Sequence, residues 1–536
     1  VAAPGRFPAE SLTRQLTGAR LYLWLGGAAL VIGALSLLIP SSPSYDPWAW
    51  LVWGREIVHL KLHTTGGPSW KPLPVIFTTL FAPFGKAAPD LWLVVARAGA
   101  VIAAAMVFRL SWRLTRQIGE TLVDEGRSGW AVLVGSALLA GVIAAVSLIF
   151  ASGYISDNAL GYSEGLLTAV VLIAFDLHLD GKYRAAFAVS FAAALDRPEV
   201  WLFWGPYGLW LFWRDPGARK LVIGLFALIP VLWFLPEYWG SGHFLRGVSR
   251  AQQPRSNSPA FAKCPFCSEL ADHAWRTMLV RIKLAALLAV GAAGVVLLHR
   301  RRTGKHRLET QRERALAALV VCGVLGVGWF VVIAIMTQAG FSGNNRYLVL
   351  GAALIDIAGA VGWGWAALEL GSRAGRLIRS RSRSESEARR SRSAIGWAAV
   401  GLMALVFAFI PGWVANSLVD VQLTHRALVY QAHLRSGITA AVEKAGGAQR
   451  VLGCGTVMTE GFQVPMLAWT LGVHTIDVEA SPQSVSNPGP PPNVIFQTRA
   501  QRNAHLLPVV GAWSTTPYRL VAHTRTFRVF EHCRTS

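Results

Sequence analysis

An aspartate, an arginine–glutamate pair and a lysine stand directly behind the first apolar run of this chain. The run is Leu21–Pro40. Behind it come Tyr45-Asp46-Pro47-Trp48-Ala49-Trp50-Leu51-Val52-Trp53-Gly54-Arg55-Glu56 and then Trp70-Lys71-Pro72-Leu73-Pro74. An acid at the mouth of a membrane, facing cations and many indole rings, can take a proton from a substrate hydroxyl, and Arg55 and Lys71 can face an anion. Asp46 followed by Pro47 is also what a helix start asks for, a capping carboxylate with proline at the first helical position, so the residue has a purely structural reading as well.

The elements that must position these groups are apolar spans. Of 536 residues 53% are hydrophobic and 15% charged, and mean hydropathy is +0.41. With the apolar residues in long blocks, that composition describes a polytopic membrane protein rather than a soluble one. The formal charge of +22 would suggest nucleic acid in a soluble protein, but the basic residues gather in short loops between apolar blocks, so the partner they imply is membrane lipid and no nucleic acid. Leu21–Pro40 reads as an uncleaved anchor, held at its start by Arg6, Arg14 and Arg20. Asp46–Leu60 then reads as a tryptophan-rich amphipathic helix and Lys71–Phe84 as a short apolar segment, both in the outer interface. Alternate loops carry Arg113, Arg116 and Arg127, then Lys182 and Arg184, then Arg214, Arg219 and Lys220, then Arg300–Arg314 and Arg373–Arg392. Their falling on one side predicts about eleven crossings, with the N-terminus inside and the C-terminus outside. The arginine–serine run Arg379–Ser393 reads as a linker between two of them, and Ala394–Val414 as the last crossing.

Residues 1–415 thus form a transmembrane domain. Residues 416–536 have the composition of a small outer α/β domain, with helices at Thr424–Ala445 and Val464–Leu471, short strands at Arg450–Gly453 and Asn493–Gln497, and two closing strands in Tyr518–Phe530. Cys264, Cys267, Cys454 and Cys533 fall outside and could pair as local disulfides, whereas Cys322 lies inside a span. His59 and His63 stand four apart on one helical face, as a metal pair might, but the reading without a third ligand is ordinary interface histidines.

The order of an anchor span, an outer acid, an Arg-Glu pair on an amphipathic helix, Lys71-Pro72-Leu73-Pro74 and later Asn345-Arg346-Tyr347 resembles the polyprenyl-phosphate-dependent glycosyltransferases of the GT-C superfamily, among them lipid A aminoarabinose transferases and protein O-mannosyltransferases. The resemblance implies a GT-C-like helical fold and a catalytic carboxylate in the first outer loop, which falls on Asp46. It also implies a Lys-Pro motif, which falls on Lys71-Pro72. Many members have Asp-Glu where this chain has Asp46-Pro47, and the second proline falls at Pro74. The expected partners are a polyprenyl-phosphate sugar donor and a glycan, lipid or protein acceptor at the outer face. A metal-free site and a divalent cation, Mg or Mn, are both compatible with the resemblance.

A lipid-phosphate donor needs cations for its phosphate and a base for the acceptor. Arg346 is the first candidate for the phosphate, because guanidinium matches it bidentately, Lys71 is the second, and Arg55 and Arg197 follow. Glu56 and Tyr347 belong to the same motifs. The outer loop Tyr154–Glu164 adds Asp157 and Glu164, which would orient sugar hydroxyls or hold a divalent cation, unless Ser156 or Asp157 merely caps the next helix. Asp196-Arg197-Pro198-Glu199 reads either as a ligand contact or as an internal ion pair at a helix break. The rival reading of the whole chain is a multi-pass lipid or solute transporter or flippase. Transporters place charges and broken helices near mid-span and carry internal repeats, whereas here charges cluster at outer span ends and no repeat is visible.

Overall fold

The computed structural model describes residues 18–122, 127–254, 261, 264–304, 307–379, 385–408 and 411–533. Seven of the described helices are long and apolar enough to cross a membrane: Arg20–Leu38, the kinked Pro72–Gly119, Gly129–Ile149, Pro216–Ser241, Val280–Arg302, Gln311–Gln338 and Asn345–Ala374. Glu164–Leu179, Tyr183–Asp196 and Trp201–Arg214 have only 16, 14 and 14 residues, and Ala394–Ala408 is a further short apolar helix. The protein is a polytopic α-helical membrane protein with a small C-terminal α/β unit.

Two long helices, Ala88–Gly119 and Val349–Arg379, form the centre of the bundle. Small residues make that possible, because without a hydrophobic force between helices in lipid it is close backbone approach that holds them. Ala96, Ala100 and Ala103 are buried on the first, and Ala352, Ala353, Ala358 and Ala360 on the second. The first helix begins with Pro89 and Asp90 in its first turn, where a fixed φ and a negative charge both suit a helix N-terminus. At the end remote from Asp46 it sends Arg109 Nε and Arg113 Nη1 to the fully buried Asp176 carboxylate, each at 2.7 Å, and Tyr22 donates to the same carboxylate at 2.6 Å. Replacing Asp176 by alanine would leave Arg109 without its ion-pair partner and Arg113 with Asp180 alone, at 2.8 Å, and we expect the detergent-solubilised protein to lose about 3 kcal/mol of stability. An unchanged thermal midpoint would show that these arginines are solvated.

The Asp46 helix spans Tyr45–Val58 and stops where Leu60 takes a positive φ of 55°. It crosses the Pro72–Phe81 helix at Gly54, where a Cβ would sit 2.5 Å from the Thr78 carbonyl carbon, so only glycine permits this approach. The anchor helix Ala19–Leu35 exposes Leu23, Trp24, Val31 and Leu35 outward, as a lipid-facing helix should.

The C-terminal unit holds a five-stranded sheet in the order β2-β1-β3-β5-β4, with β1 Val457–Thr459, β2 Val478–Ala480, β3 Val494–Gln497, β4 Arg519–His523 and β5 Arg528–Glu531. β1 pairs parallel with β2 and β3, and β5 is antiparallel to β3 and β4. The helix Val464–Leu471 falls where the sequence places it, with Pro465 in its first turn and Gly472 closing it in the left-handed region.

Several expectations change. Arg450–Gly453 lies in the helix Ala448–Cys454 rather than in a strand, since a short apolar run flanked by glycines does not distinguish the two. Cys264 and Cys267 form the local disulfide expected, but Cys454 bonds to Cys533 across a separation of 79 residues, so that bridge is not local. Cys322 is free and buried. The arginine–serine run is not all linker: a helix begins at Glu385 and continues to Ala408, with 380–384 outside the described residues, as are 409–410 within the expected last crossing and Arg6 and Arg14 before the first. The helix Pro411–Lys444 runs straight through the division drawn at 415/416.

Candidate active site

Segments remote in sequence meet beside the start of the Asp46 helix. The helix starts at Tyr45 with Ser44 as its N-cap, and no side chain caps it. The Asp46 carboxylate, in the first turn where a negative charge suits a helix, therefore does not cap it. It faces Arg346 Nη2 at 2.5 Å, with side-chain exposures of 16% and 7%, an ion pair largely withdrawn from water. Arg346 sits in the short turn Asn345–Leu348 that starts the central Val349–Arg379 helix. Its Nε lies 3.3 Å from Glu164 Oε1, and the same oxygen is 2.6 Å from Arg197 Nη2. Arg197, at the extended break between Tyr183–Asp196 and Pro198–Val200, closes the series on Glu199 at 3.4 Å. Charges of alternating sign thus run from Asp46 through Arg346, Glu164 and Arg197 to Glu199.

Two tyrosines carry the guanidinium groups. Arg346 lies over the Tyr162 ring at 3.6 Å and Arg197 over the Tyr347 ring at 3.6 Å. Such stacking is strongest where water is excluded, and both arginines are buried. Lys71, the N-cap residue of Pro72–Phe81, donates to Ser163 Oγ at 3.2 Å and stands 5.5 Å over the Trp50 ring. Among the described residues it makes no direct ion pair, although its charge acts on Glu164. Arg346 Nε, Arg197 Nε and Glu164 Oε2 are buried without a hydrogen-bond partner among the described residues, which leaves polar groups for a ligand or water to satisfy.

Asp157 lies in the short helix Tyr154–Ala159, whose N-cap is Gly153, and neither it nor Ser156 caps the helix starting at Glu164. Burial pushes the Asp157 carboxyl up to about 7, against the pull of Arg346 and with the help of Glu164. A carboxyl raised in this way holds its proton in the folded state where the unfolded chain has lost it. Its contribution to stability is then full below about pH 4 and is lost as pH rises towards 7. We expect the unfolding midpoint of the detergent-solubilised protein to fall over that range relative to Asp157→Asn, with the difference levelling off above it. Parallel curves for the two proteins would mean that Asp157 is well solvated.

The sequence-derived residues divide accordingly. Asp46, Lys71, Glu164, Arg197, Arg346 and Tyr347 are brought together, with Asp157 within electrostatic reach. Arg197 and Glu199 do form an internal ion pair at a helix break. Arg55 and Glu56 are not at this site. Nine residues along a helix rising about 1.5 Å each carry Arg55 about 13 Å beyond Asp46. There it donates to the Trp469 and Val473 carbonyls at 3.1 and 2.6 Å. Burial raises the Glu56 carboxyl, which accepts from His63 N at 2.9 Å and faces His474 Nδ1 at 2.8 Å. Both residues dock the C-terminal unit, alongside contact between the Trp48 and Trp469 rings. His59 and His63 share no helical face, because the helix ends at Val58; among the described residues no group of three or more His, Cys, Asp or Glu is placed to hold a metal ion. Sequence reasoning missed Ser44, Tyr162 and Ser163. The only signal was position, since Tyr162 and Ser163 immediately precede Glu164.

The fold and site define a multi-spanning helical membrane protein with a buried acid–arginine network beside the start of the Tyr45–Val58 helix. It is similar in structure to the crystal structure of ArnT from Cupriavidus metallidurans bound to undecaprenyl phosphate, at 12% identity and a TM-score of 0.45, covering 96% of this chain and 98% of that one. The apo state of the same protein gives 14% identity and a TM-score of 0.48, with 95% and 97% covered. No protein-family model and no curated protein matches the sequence.

Proposed function

We propose that this protein is an integral-membrane, inverting glycosyltransferase that moves a sugar from a polyprenyl-phosphate donor to an acceptor hydroxyl at the outer membrane face. The observation that carries the reading is a carboxylate, Asp46, paired with Arg346, and a second cation, Lys71, whose charge acts on the Glu164 that Arg346 also faces and which has no ion pair among the described residues. That is the set one displacement at an anomeric carbon requires. Asp46 takes the proton of the acceptor hydroxyl as its oxygen bonds to the anomeric carbon. The bond from that carbon to the phosphate oxygen breaks, and the polyprenyl phosphate leaves with the electron pair, facing Lys71 and Arg346. A single displacement inverts the centre and needs no covalent enzyme intermediate. Glu164 holds Arg346 and Arg197 in place, and Asp157 orients sugar hydroxyls. On this reading residues 1–415 bind the donor from the bilayer of a bacterial plasma membrane, and residues 416–536 lie over the site outside it.

The test is purified protein in lipid nanodiscs with a panel of polyprenyl-phosphate sugars and cell-envelope acceptors, scored by release of polyprenyl phosphate. Mass analysis of lipid-linked sugars after gene deletion is run in parallel. Accumulation of one lipid-linked sugar together with loss of one glycan supports the proposal. Movement of a substrate across liposomes without bond cleavage, and an unchanged lipid-linked pool, would overturn it in favour of a transporter.

A further inference from the structure

Tyr162 touches Arg346 directly and is tied to the Asp46 helix through Ser44. Its ring lies 3.6 Å from the Arg346 guanidinium, and its hydroxyl is 2.8 Å from the hydroxyl of Ser44, the residue that opens the Asp46 helix. Ser44 is tied to the same loop a second time, through its N–H to the Leu160 carbonyl at 2.9 Å. The loop has little freedom of its own. Tyr162 N donates to the Asp157 carbonyl at 3.1 Å, and Trp92 Nε1 donates to the Gly161 carbonyl at 2.8 Å. Gly161 has a φ of +82°, and a Cβ there would lie 3.0 Å from Leu93 and 3.1 Å from Trp92, so the turn presenting Tyr162 admits no side chain before it.

We propose that Tyr162 is a positioning residue for transfer, one that fixes where the base stands relative to the cation facing the leaving phosphate. This deepens the proposed glycosyl transfer and rests on it. The physical case is geometric. Asp46 and Arg346 belong to helices 300 residues apart, and their own ion pair cannot set their separation once a phosphate shares Arg346. A rigid ring fixed at one end by stacking and at the other by a hydrogen bond sets it whether or not the pair is intact. Phenylalanine keeps the platform and removes only the tie to Ser44, whereas alanine removes both.

The experiment measures kcat, the KM of each substrate and equilibrium binding of a short prenyl phosphate for wild type, Tyr162→Phe, Ser44→Ala, the double variant and Tyr162→Ala. We expect Tyr162→Phe and Ser44→Ala each to lower kcat about tenfold, with prenyl-phosphate binding unchanged and the double variant no worse than either single one, because the two hydroxyls make one contact. Tyr162→Ala should in addition weaken prenyl-phosphate binding about tenfold through loss of the guanidinium platform. Wild-type kcat in Tyr162→Phe overturns the proposal, as does an additive double variant whose losses track a falling thermal midpoint. If Tyr162→Ala does not fold, the phenylalanine and serine variants still decide. If wild type itself neither transfers sugar nor binds prenyl phosphate, the glycosyltransferase reading has failed, a result distinct from failure of the Tyr162 role alone.

Discussion

Asparagine in place of Asp46 is expected to lower glycosyl transfer by at least about a hundredfold while the protein remains folded and membrane-inserted, the scale of a lost general base. The structure sharpens this expectation. Asparagine caps helices about as well as aspartate, and the structure shows no side-chain cap at Ser44, so helix start and catalysis are separated by this single change. Nor should the substitution strand a buried charge, because Arg346 keeps Glu164 at 3.3 Å and Tyr162 beneath it. A loss of transfer at an unchanged thermal midpoint, with prenyl-phosphate binding intact, identifies Asp46 as the base. Near-normal transfer would reduce it to a partner of Arg346 and move the search for a base to Asp157, whose carboxyl is raised by burial to about 7 and lies within electrostatic reach of the same cation.

What could be read in advance follows from the range of the forces involved. Asp46, Lys71, Glu164 and Arg346 were visible because an ionisable residue at the end of an apolar run is costly and conspicuous in sequence alone. Which of them touch was not visible. The Asp46–Arg346 contact spans 300 positions, and only the tertiary fold that brings the Tyr45–Val58 helix to the turn before Val349–Arg379 decides it. Arg55 and Glu56 looked equivalent to Asp46 by type and by neighbourhood. They are engaged by carbonyls and a histidine of residues 469–474, a surface that nothing in Tyr45–Glu56 announces. The pair His59 and His63 failed for a local reason, the break at Leu60, which no glycine or proline signals. Within the C-terminal unit, local rules placed Val464–Leu471, where Pro465 and Gly472 mark both ends, and failed for Ala448–Cys454, where a short apolar run fits a buried strand and a helix equally. Tyr162 was hidden by its ordinariness, since a tyrosine in an outer loop has many uses and its two contacts come from elsewhere in the fold.

Arg346 is where the largest loss is expected. Alanine removes at once the partner of Asp46, one of the two cations on Glu164 and the cation proposed for the leaving phosphate. We therefore expect Arg346→Ala to lower transfer by at least about a thousandfold, the combined scale of a lost phosphate clamp and a misplaced base. Lysine keeps the charge but not the planar fork, and it cannot reach Asp46 and Glu164 together while stacking on Tyr162. Arg346→Lys should fall between alanine and wild type, with its loss shared between donor affinity and kcat. The rival is an arginine that serves only to pair Asp46 and anchor the top of the Val349–Arg379 helix. In that case alanine would lower kcat and the thermal midpoint but leave prenyl-phosphate binding at its wild-type value. Equilibrium binding of a prenyl phosphate to Arg346→Ala and, separately, to Lys71→Ala decides between them: weakening in both assigns the phosphate to a shared clamp, and weakening in Lys71→Ala alone assigns it to the lysine, with Arg346 left as the partner that holds the base in place.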